Sequence, residues 1–338
     1  MEHLANQILE IVKDYRNNDG INLTTDNIIA WANQFGEDAQ FMLSELAYIL
    51  PKFYISKEKG YRILEEALTS IKQALGYSDL NLFLQDTQFL DMQREGKSQK
   101  IILSMIDDIL AKNNLSPIET YSLFPKKNFV YLDDVLASGK TIRDAITNWL
   151  NTDENLEKVK KGEYRFYLYV MCSHTWALSF LEYYLKNNFP GFKLLSNCFY
   201  KIENHAKFYN QKFNLIFPLK DQSEEVTQYF AQLNATQYED YAFRNEHQPL
   251  REDFFSSPSN RIKFENLLLH AGLRIIYKIR GDVKPNVRPI GFTNPRYKTL
   301  GQGTLFITWR NIPNNCPLAL WWDVDGHDWL PLFPPKRQ

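Results

Sequence analysis

Two adjacent carboxylates, Asp133 and Asp134, follow an apolar run and precede a turn of small residues. Residues 129–132 are apolar or aromatic and predict a strand buried on both faces. The apolar spacing over residues 142–149 predicts a helix that starts near Lys140. In open α/β sheets ligands bind at the carboxyl ends of strands, and the N–H groups of a helix start suit a phosphate. The segment therefore predicts a site for a sugar phosphate.

Nucleotide-binding loops of the Walker type do not explain this segment. Gly139-Lys140-Thr141 imitates the end of a Walker A loop, but aspartate occupies position 134, where that motif needs glycine. Gly96-Lys97-Ser98 fails in the same way, because Asp91 stands at the first glycine position. A Walker B interpretation of the two acids lacks its Walker A partner. An ATPase is therefore disfavoured.

The segment resembles the signature of the type I phosphoribosyltransferases, which has four apolar residues, two acids, two apolar residues and a small-residue turn. The positions on that pattern are Asp133, Asp134, Ala137, Ser138, Gly139 and Thr141. Tyr131 departs from it, since the family usually has an aliphatic residue there. The resemblance implies that the paired acids hold the ribose hydroxyls of phosphoribosyl pyrophosphate. It also implies that the loop from Ala137 to Thr141 cradles the 5′-phosphate.

Simpler interpretations of the same residues stay open. Asp133 and Asp134 would also end a strand and cap a turn, although adjacent carboxylates repel each other unless a cation or hydroxyl donors share the site. Lys140 opposes the dipole of the helix that it starts. It is either a phosphate contact or a solvated side chain.

A second loop is expected by resemblance, because the family binds pyrophosphate after an earlier strand. Gly96, Lys97 and Ser98 lie between a strand predicted near Asn81 to Leu90 and a helix that begins near Gln99. Glycine permits close approach of a ligand to the backbone, and lysine supplies positive charge. An exposed polar turn is the alternative. By the same resemblance, Mg²⁺ bridges pyrophosphate and ribose oxygens, neutralises the leaving group and assists displacement from the anomeric carbon.

Composition limits the class of protein. The 338 residues are 44% hydrophobic, and 39 Lys and Arg nearly balance 40 Asp and Glu, so no bulk positive charge favours nucleic acid or anionic membrane. No apolar run approaches a membrane span, and the first residues lack a signal-type core. Three widely spaced cysteines predict neither a disulfide framework nor a paired zinc motif. We expect a cytoplasmic protein without a membrane partner.

The pattern along the chain predicts an α/β fold in three parts. Residues 1–78 predict a helical leader, and residues 79–235 alternate extended and helical segments, as in a parallel-sheet phosphoribosyltransferase-like core. Within that core, Ser173 is the predicted N-cap of a helix. Residues 236–338 predict a long helix followed by an aromatic-rich extension.

The C-terminal part adds a second resemblance. The C-terminal part, joined to the helical leader and the signature, resembles phosphoribosyltransferase-like proteins of prokaryotic conflict systems, in which a turn like that at residues 311–318 recurs before a Trp such as Trp321. Some of those proteins are encoded beside retrons. The resemblance implies an effector or regulator in antiviral defence, with partners such as a reverse transcriptase and its RNA–DNA hybrid.

Two functions remain open at this stage. The first is a Mg²⁺-assisted phosphoribosyltransferase-like protein that binds phosphoribosyl pyrophosphate or a related nucleotide. The second is a degenerate member that acts as a nucleotide sensor or as a partner-binding or nucleic-acid-binding component. No active-site lid or acceptor motif is visible in the sequence, so base salvage is disfavoured. His174 is a candidate base by position alone, and His327 lies in an acidic turn that is either solvated or a metal site.

Overall fold

The computed structural model describes residues 1–94, 97–152, 154–205 and 213–336. In chain order the helices are α1 (Glu2–Val12), α2 (Thr25–Asn33), α3 (Ala39–Phe53), α4 (Lys57–Ala74), α5 (Leu80–Asp86), α6 (Ser98–Lys112), α7 (Lys140–Leu150), α8 (Asn155–Lys160), α9 (Thr175–Asn188), α10 (Glu224–Gln232), α11 (Pro258–Tyr277) and α12 (Leu318–Trp321). The strands are β1 (Tyr54–Ile55), β2 (Thr87–Phe89), β3 (Asn128–Leu136), β4 (Arg165–His174), β5 (Leu195–Ile202) and β6 (Ile307–Thr308).

The chain divides into two compact units. One unit combines Met1–Lys57 with Glu203–Gln338, and the other is the continuous segment Glu58–Ile202. The sequence predicts divisions after residues 78 and 235, where the pattern of residues changes. These stay predictions; the compact units of the structure divide after Lys57 and Ile202. The expected α/β fold with a helical start and parallel strands is confirmed.

The regular elements of the discontinuous unit are mainly helices, and the unit packs the beginning of the chain against its end. The indole N–H groups of Trp31 and Trp329 both donate to the carbonyl oxygen of Ala319, at 2.8 and 3.0 Å. The hydroxyl of Tyr15 donates to the carbonyl oxygen of Pro334 at 2.8 Å. Buried donors require such partners, so these bonds specify how the C-terminal segment lies on the first helices.

The continuous unit holds a four-stranded parallel sheet in the order β2-β3-β4-β5. Phe89 pairs with Val130, and Asp133 pairs with Val170, so the polar end of β3 lies beside an apolar part of β4. Parallel neighbours need crossover connections, which here contain α6, then α7 and α8, then α9. β2 ends beside Val130, and Gln93, in the segment that follows, reaches the later part of β3 at Asp133.

One face of this sheet is covered by α7 and α9. A single buried cluster joins the apolar side chains of both helices to those of β3 and β4, including Trp149, Phe166 and Leu181. Buried aromatic and aliphatic side chains on this scale provide most of the favourable free energy of folding for such a layer. This packing places the start of α7 at the end of β3.

Two local predictions for this unit were wrong. The strand predicted from Asn81 to Leu90 is mostly helix, because the Asp79 side chain accepts a bond from the Leu82 N–H and caps α5. Only Thr87–Phe89 is strand. Ser173 is not an N-cap, because it pairs with Leu136 and Lys201 inside the sheet, and α9 begins only after His174.

In the discontinuous unit, the segment of residues 215–218 forms no regular strand. Its backbone instead bonds to a distant loop, with the Ile216 N–H donating to the carbonyl oxygen of Gly303 at 2.8 Å.

Candidate functional site

The signature segment forms the strand, turn and helix that its sequence predicts. β3 runs through Asp133 and Asp134 to Leu136, and α7 starts at Lys140. Gly139 precedes the helix with φ 75° and ψ −6°, a left-handed conformation that glycine adopts without steric cost. The turn thus directs the chain from the end of the sheet into the first turn of α7.

The start of α7 presents backbone N–H groups. Gly139, the N-cap of α7, has no side chain to cap the helix. The Ser138 hydroxyl oxygen accepts from the Lys140 N–H at 3.5 Å, and the Arg143 N–H donates back to the Gly139 carbonyl oxygen at 2.8 Å. The amides before Arg143 have no acceptor one turn earlier in the helix, which is the general property of helix N-termini. Ser138 and Thr141 are exposed beside them. Amides and hydroxyls in this arrangement suit an anion.

The side chain of Lys140 lies along the helix. Its ammonium group pairs with Asp144 at 2.8 Å, and the Arg143 guanidinium also pairs with that carboxylate, at 2.8 Å. The Lys140 side chain is 74% exposed. Its backbone N–H, rather than its ammonium group, lies at the loop in this arrangement.

Asp133 is buried, and both of its carboxylate oxygens accept hydrogen bonds from other groups of the protein. Its Oδ1 accepts from the Ser98 hydroxyl at 2.6 Å and from the Asp134 N–H at 2.9 Å. Its Oδ2 accepts from the Gln93 amide at 2.7 Å. Burial and the neighbouring Asp134 carboxylate raise the pKa of Asp133 to about 7, against these hydrogen bonds, which favour the ionised form. Asp134 is less buried than Asp133.

The second predicted loop reaches the same carboxylate. Lys97 is the N-cap of α6 and is exposed, while Ser98 begins the helix and donates to Asp133. Gly96 lies outside the described residues. The structure therefore brings one residue of the predicted pyrophosphate loop, Ser98, to the predicted ribose-binding acids.

Two glutamines at this site, Gln93 and Gln99, were not predicted from the sequence. Gln99 is completely buried, and its Oε1 accepts the N–H groups of Met92 and Gln93 at 2.6 and 3.0 Å. Its Nε2 donates to the Leu132 carbonyl at 3.1 Å. In the sequence they resemble ordinary polar residues of a loop and a helix start, so no local signal identifies them. Together they tie the segment after β2 to β3.

Neither histidine considered from the sequence lies in an open site. His174 is completely buried at the end of β4, and burial lowers its pKa to about 3, so its imidazole is neutral. The ring of His327 bonds to the Ile275 carbonyl at 3.1 Å and to the Trp329 N–H at 3.0 Å. His327 therefore has a structural role in the C-terminal turn.

Among residues 1–94, 97–152, 154–205 and 213–336, no group of three or more His, Cys, Asp or Glu side chains is placed to hold a metal ion. In the same ranges no helix combines the length and apolar character that crossing a membrane requires.

Comparison with known proteins places these features in a family. The model of the PRTase-CE family matches residues 28–334. The chain belongs to the PRTase-CE family. The phosphoribosyltransferase-like character expected from the signature is thereby confirmed for this PRTase-CE protein. No curated protein matches the chain.

A solved structure similar to part of this PRTase-CE chain is the xanthine-guanine-hypoxanthine phosphoribosyltransferase of Helicobacter pylori. The identity is 11%, the match covers 36% of this chain and 76% of that chain, and the TM-score is 0.24.

Proposed function

We propose that this PRTase-CE protein binds phosphoribosyl pyrophosphate, or a nucleotide with the same ribose 5-phosphate group, at the carboxyl ends of β2 and β3. One observation carries the proposal. Two helices, α6 and α7, begin after neighbouring parallel strands, and Ser98 at the start of α6 bonds to Asp133 at the end of β3, at 2.6 Å. Two helix N-termini beside an acidic pair suit a ligand with a phosphate at one end, a pyrophosphate at the other and a ribose between them.

The 5′-phosphate lies at the turn before α7. The backbone N–H groups after Gly139 and the hydroxyls of Ser138 and Thr141 supply its donors, and Ala137 permits close approach. The helix dipole adds favourable electrostatic energy at this end of α7. Lys140 contributes its backbone N–H, because its ammonium group pairs with Asp144.

The pyrophosphate lies at the start of α6, with Lys97, the backbone N–H of Ser98 and the predicted contact Gly96, while the Ser98 hydroxyl keeps its bond to Asp133. Asp133 and Asp134 lie between the two phosphate sites, next to the ribose. Mg²⁺ arrives with the pyrophosphate, because it is commonly bound by substrate phosphates and retained waters rather than by a complete protein cage. When bound, it neutralises the leaving group.

If the protein is catalytic, the bond from the anomeric carbon to the pyrophosphate oxygen breaks and the electron pair leaves with pyrophosphate. A nucleophilic acceptor forms the new bond to that carbon, and its proton passes to the released pyrophosphate. The contribution of this chain is to hold the 5′-phosphate, the ribose and the pyrophosphate in one geometry.

A second candidate function is a sensor that binds the nucleotide without transferring its phosphoribosyl group. The burial of His174 favours it, because this candidate base is enclosed and cannot reach an acceptor. In that role the protein acts through partners such as a reverse transcriptase with its RNA–DNA hybrid, in antiviral defence. The defence role rests on the resemblance that joins the turn at residues 311–318 to the helical leader and the signature, and it stays a prediction.

Calorimetric titration of the purified chain with phosphoribosyl pyrophosphate and Mg²⁺ tests the binding proposal. We expect saturable binding that Asp134→Asn weakens by about tenfold or more, since a bond to a charged group is typically worth 1.5–3 kcal/mol. Glu157→Gln is the matched control, because Glu157 is an exposed acid of α8 that pairs with Lys160. Wild-type protein that produces no binding heat would contradict the proposal. Pyrophosphate release during incubation with Mg²⁺ and acceptors then separates transfer from sensing.

A further inference from the structure

The two acids of the signature differ in how exposed they are. Asp133 is 5% exposed, and each of its carboxylate oxygens accepts at least one hydrogen bond from the chain itself. Asp134 lies at the same strand end but is more exposed. A ribose hydroxyl that bonded to Asp133 would have to compete with Ser98 and Gln93 in a buried position, where breaking a hydrogen bond to a charged group is costly.

The bonds of Asp133 lead to the start of α6 and the segment before it. Ser98 begins that helix, and Gln93 precedes it in the loop. The Gln93 amide also donates to the hydroxyl of Tyr131 at 3.0 Å, so a single amide group bridges two side chains of β3. Gln99 adds a bond from α6 to the backbone of β3 at Leu132. The polar side chains of Gln93, Ser98 and Gln99 thus bond to β3, next to the apolar packing of Leu90 and Met92.

We infer that Asp133 is a positioning residue, which holds Ser98 and the start of α6 in place for the pyrophosphate end of the ligand, and that Asp134 is the acid that contacts the ribose. This inference rests on the proposed function and assigns different roles to the two acids. Ser98 and Gln93 become positioning residues as well, because they act through Asp133.

The division has a consequence for ligand recognition. Loss of the Ser98–Asp133 bond releases the start of α6, which serves the pyrophosphate, whereas the 5′-phosphate turn before α7 keeps its packing on the sheet. Affinity for phosphoribosyl pyrophosphate should then fall, while affinity for ribose 5-phosphate, which has no pyrophosphate group, should remain. Loss of the Asp134 carboxylate should weaken the binding of both ligands, since both contain the ribose.

The experiment compares the two ligands on four proteins. Dissociation constants for phosphoribosyl pyrophosphate with Mg²⁺ and for ribose 5-phosphate are measured by calorimetry on wild type, Ser98→Ala, Asp133→Asn and Asp134→Asn. For Ser98→Ala and Asp133→Asn we expect about tenfold weaker binding of phosphoribosyl pyrophosphate, with ribose 5-phosphate changed by less than about twofold. For Asp134→Asn we expect both affinities to fall by about tenfold.

A rescue variant separates positioning from general destabilisation. Ser98→Thr keeps the hydroxyl and should bind phosphoribosyl pyrophosphate within about threefold of wild type, a difference of under 1 kcal/mol. If Asp133→Asn does not fold, Ser98→Ala and Ser98→Thr carry the comparison alone.

Three outcomes overturn the inference. Equal loss of both ligands in Asp133→Asn would mean that Asp133 contacts the ribose directly, and the proposed function would stand. Unchanged binding of phosphoribosyl pyrophosphate in Ser98→Ala would show that the bond to Asp133 positions nothing that the ligand uses. Wild-type protein that binds neither ligand would overturn the proposed function together with the inference.

Discussion

Tyr131 and Asp133, two residues apart on β3, share one donor: the side-chain amide of Gln93 bonds to the Tyr131 hydroxyl at 3.0 Å and to the Asp133 carboxylate at 2.7 Å. Tyr131 is completely buried. It occupies the signature position at which this sequence departs from the aliphatic residue of the type I phosphoribosyltransferases. The departure therefore supplies a hydroxyl acceptor for Gln93, which also bonds to the first acid.

Gln93→Ala should destabilise the protein by about 1–3 kcal/mol, because it removes a donor to a buried carboxylate. Tyr131→Phe removes only a neutral acceptor of the same amide, so its cost should be smaller, about 1 kcal/mol. Urea unfolding of both variants and wild type measures the difference. A Tyr131→Phe variant that loses more stability than Gln93→Ala would show that the hydroxyl, not the carboxylate bond, dominates this cluster.

Stability should depend on pH through Asp133. Its folded-state pKa of about 7 exceeds the ordinary value of 3.8, because burial and then the Asp134 charge oppose ionisation. The folded protein thus retains a proton that the unfolded chain releases. This contribution to stability is complete below the ordinary value and is lost as the pH rises through about 7.

The difference between wild type and Asp133→Asn isolates that contribution. Relative to wild type, the variant should gain stability as the pH rises from about 4 to about 7, because over this interval the unfolded wild-type chain has released the proton that the folded protein retains. Asp134→Asn should shift the wild-type change to lower pH, because it removes the like charge next to Asp133. Urea midpoints across this range provide the measurement. Parallel pH profiles for wild type and Asp133→Asn would rule out a buried, raised pKa.

Gly139→Ala should weaken the binding of both phosphoribosyl pyrophosphate and ribose 5-phosphate. Its φ of 75° costs an L-residue about 1–2 kcal/mol, and relief of that strain would displace the turn that holds the 5′-phosphate. Gly162→Ala is the matched control, since Gly162 has φ 76° with open space around it and lies between α8 and the start of β4. Both variants should lose similar stability, and only Gly139→Ala should lose affinity by calorimetry. If Gly139→Ala and Gly162→Ala bound the two ligands with equal affinity, the turn before α7 would not be part of the binding site.

Gly303→Ala should destabilise the discontinuous unit severely. A Cβ at Gly303 would collide with the carbonyl oxygen of Ile216, and the φ of 58° adds strain. Gly20→Ala in the same unit provides the comparison, because Gly20 has φ 75° but open space. We expect loss of about 1 kcal/mol for Gly20→Ala and at least about 3 kcal/mol, or insoluble protein, for Gly303→Ala. Similar melting temperatures for the two variants would show that the close backbone approach at Gly303 is not essential.

Much of the proposed site was accessible to sequence reasoning because its signals are local. The apolar run before Asp133, the left-handed turn at Gly139 and the helical spacing after Lys140 each depend on a few neighbouring residues. The segment from Leu80 to Leu90 shows the limit of such reasoning. It contains apolar residues that suit both a strand and a helix, and the capping bond of Asp79 selects the helix over most of its length.

Only the tertiary structure decided which distant segments meet. Gln93 and Gln99 resemble surface residues in the sequence, but they join the loop after β2 to β3. Likewise, Trp31 and Trp329 are predictable as core residues, but their common acceptor, the Ala319 carbonyl, unites the two ends of the chain in one unit. Local periodicity determines which face of an element is buried. The partner of a buried donor depends on how elements remote in sequence pack together.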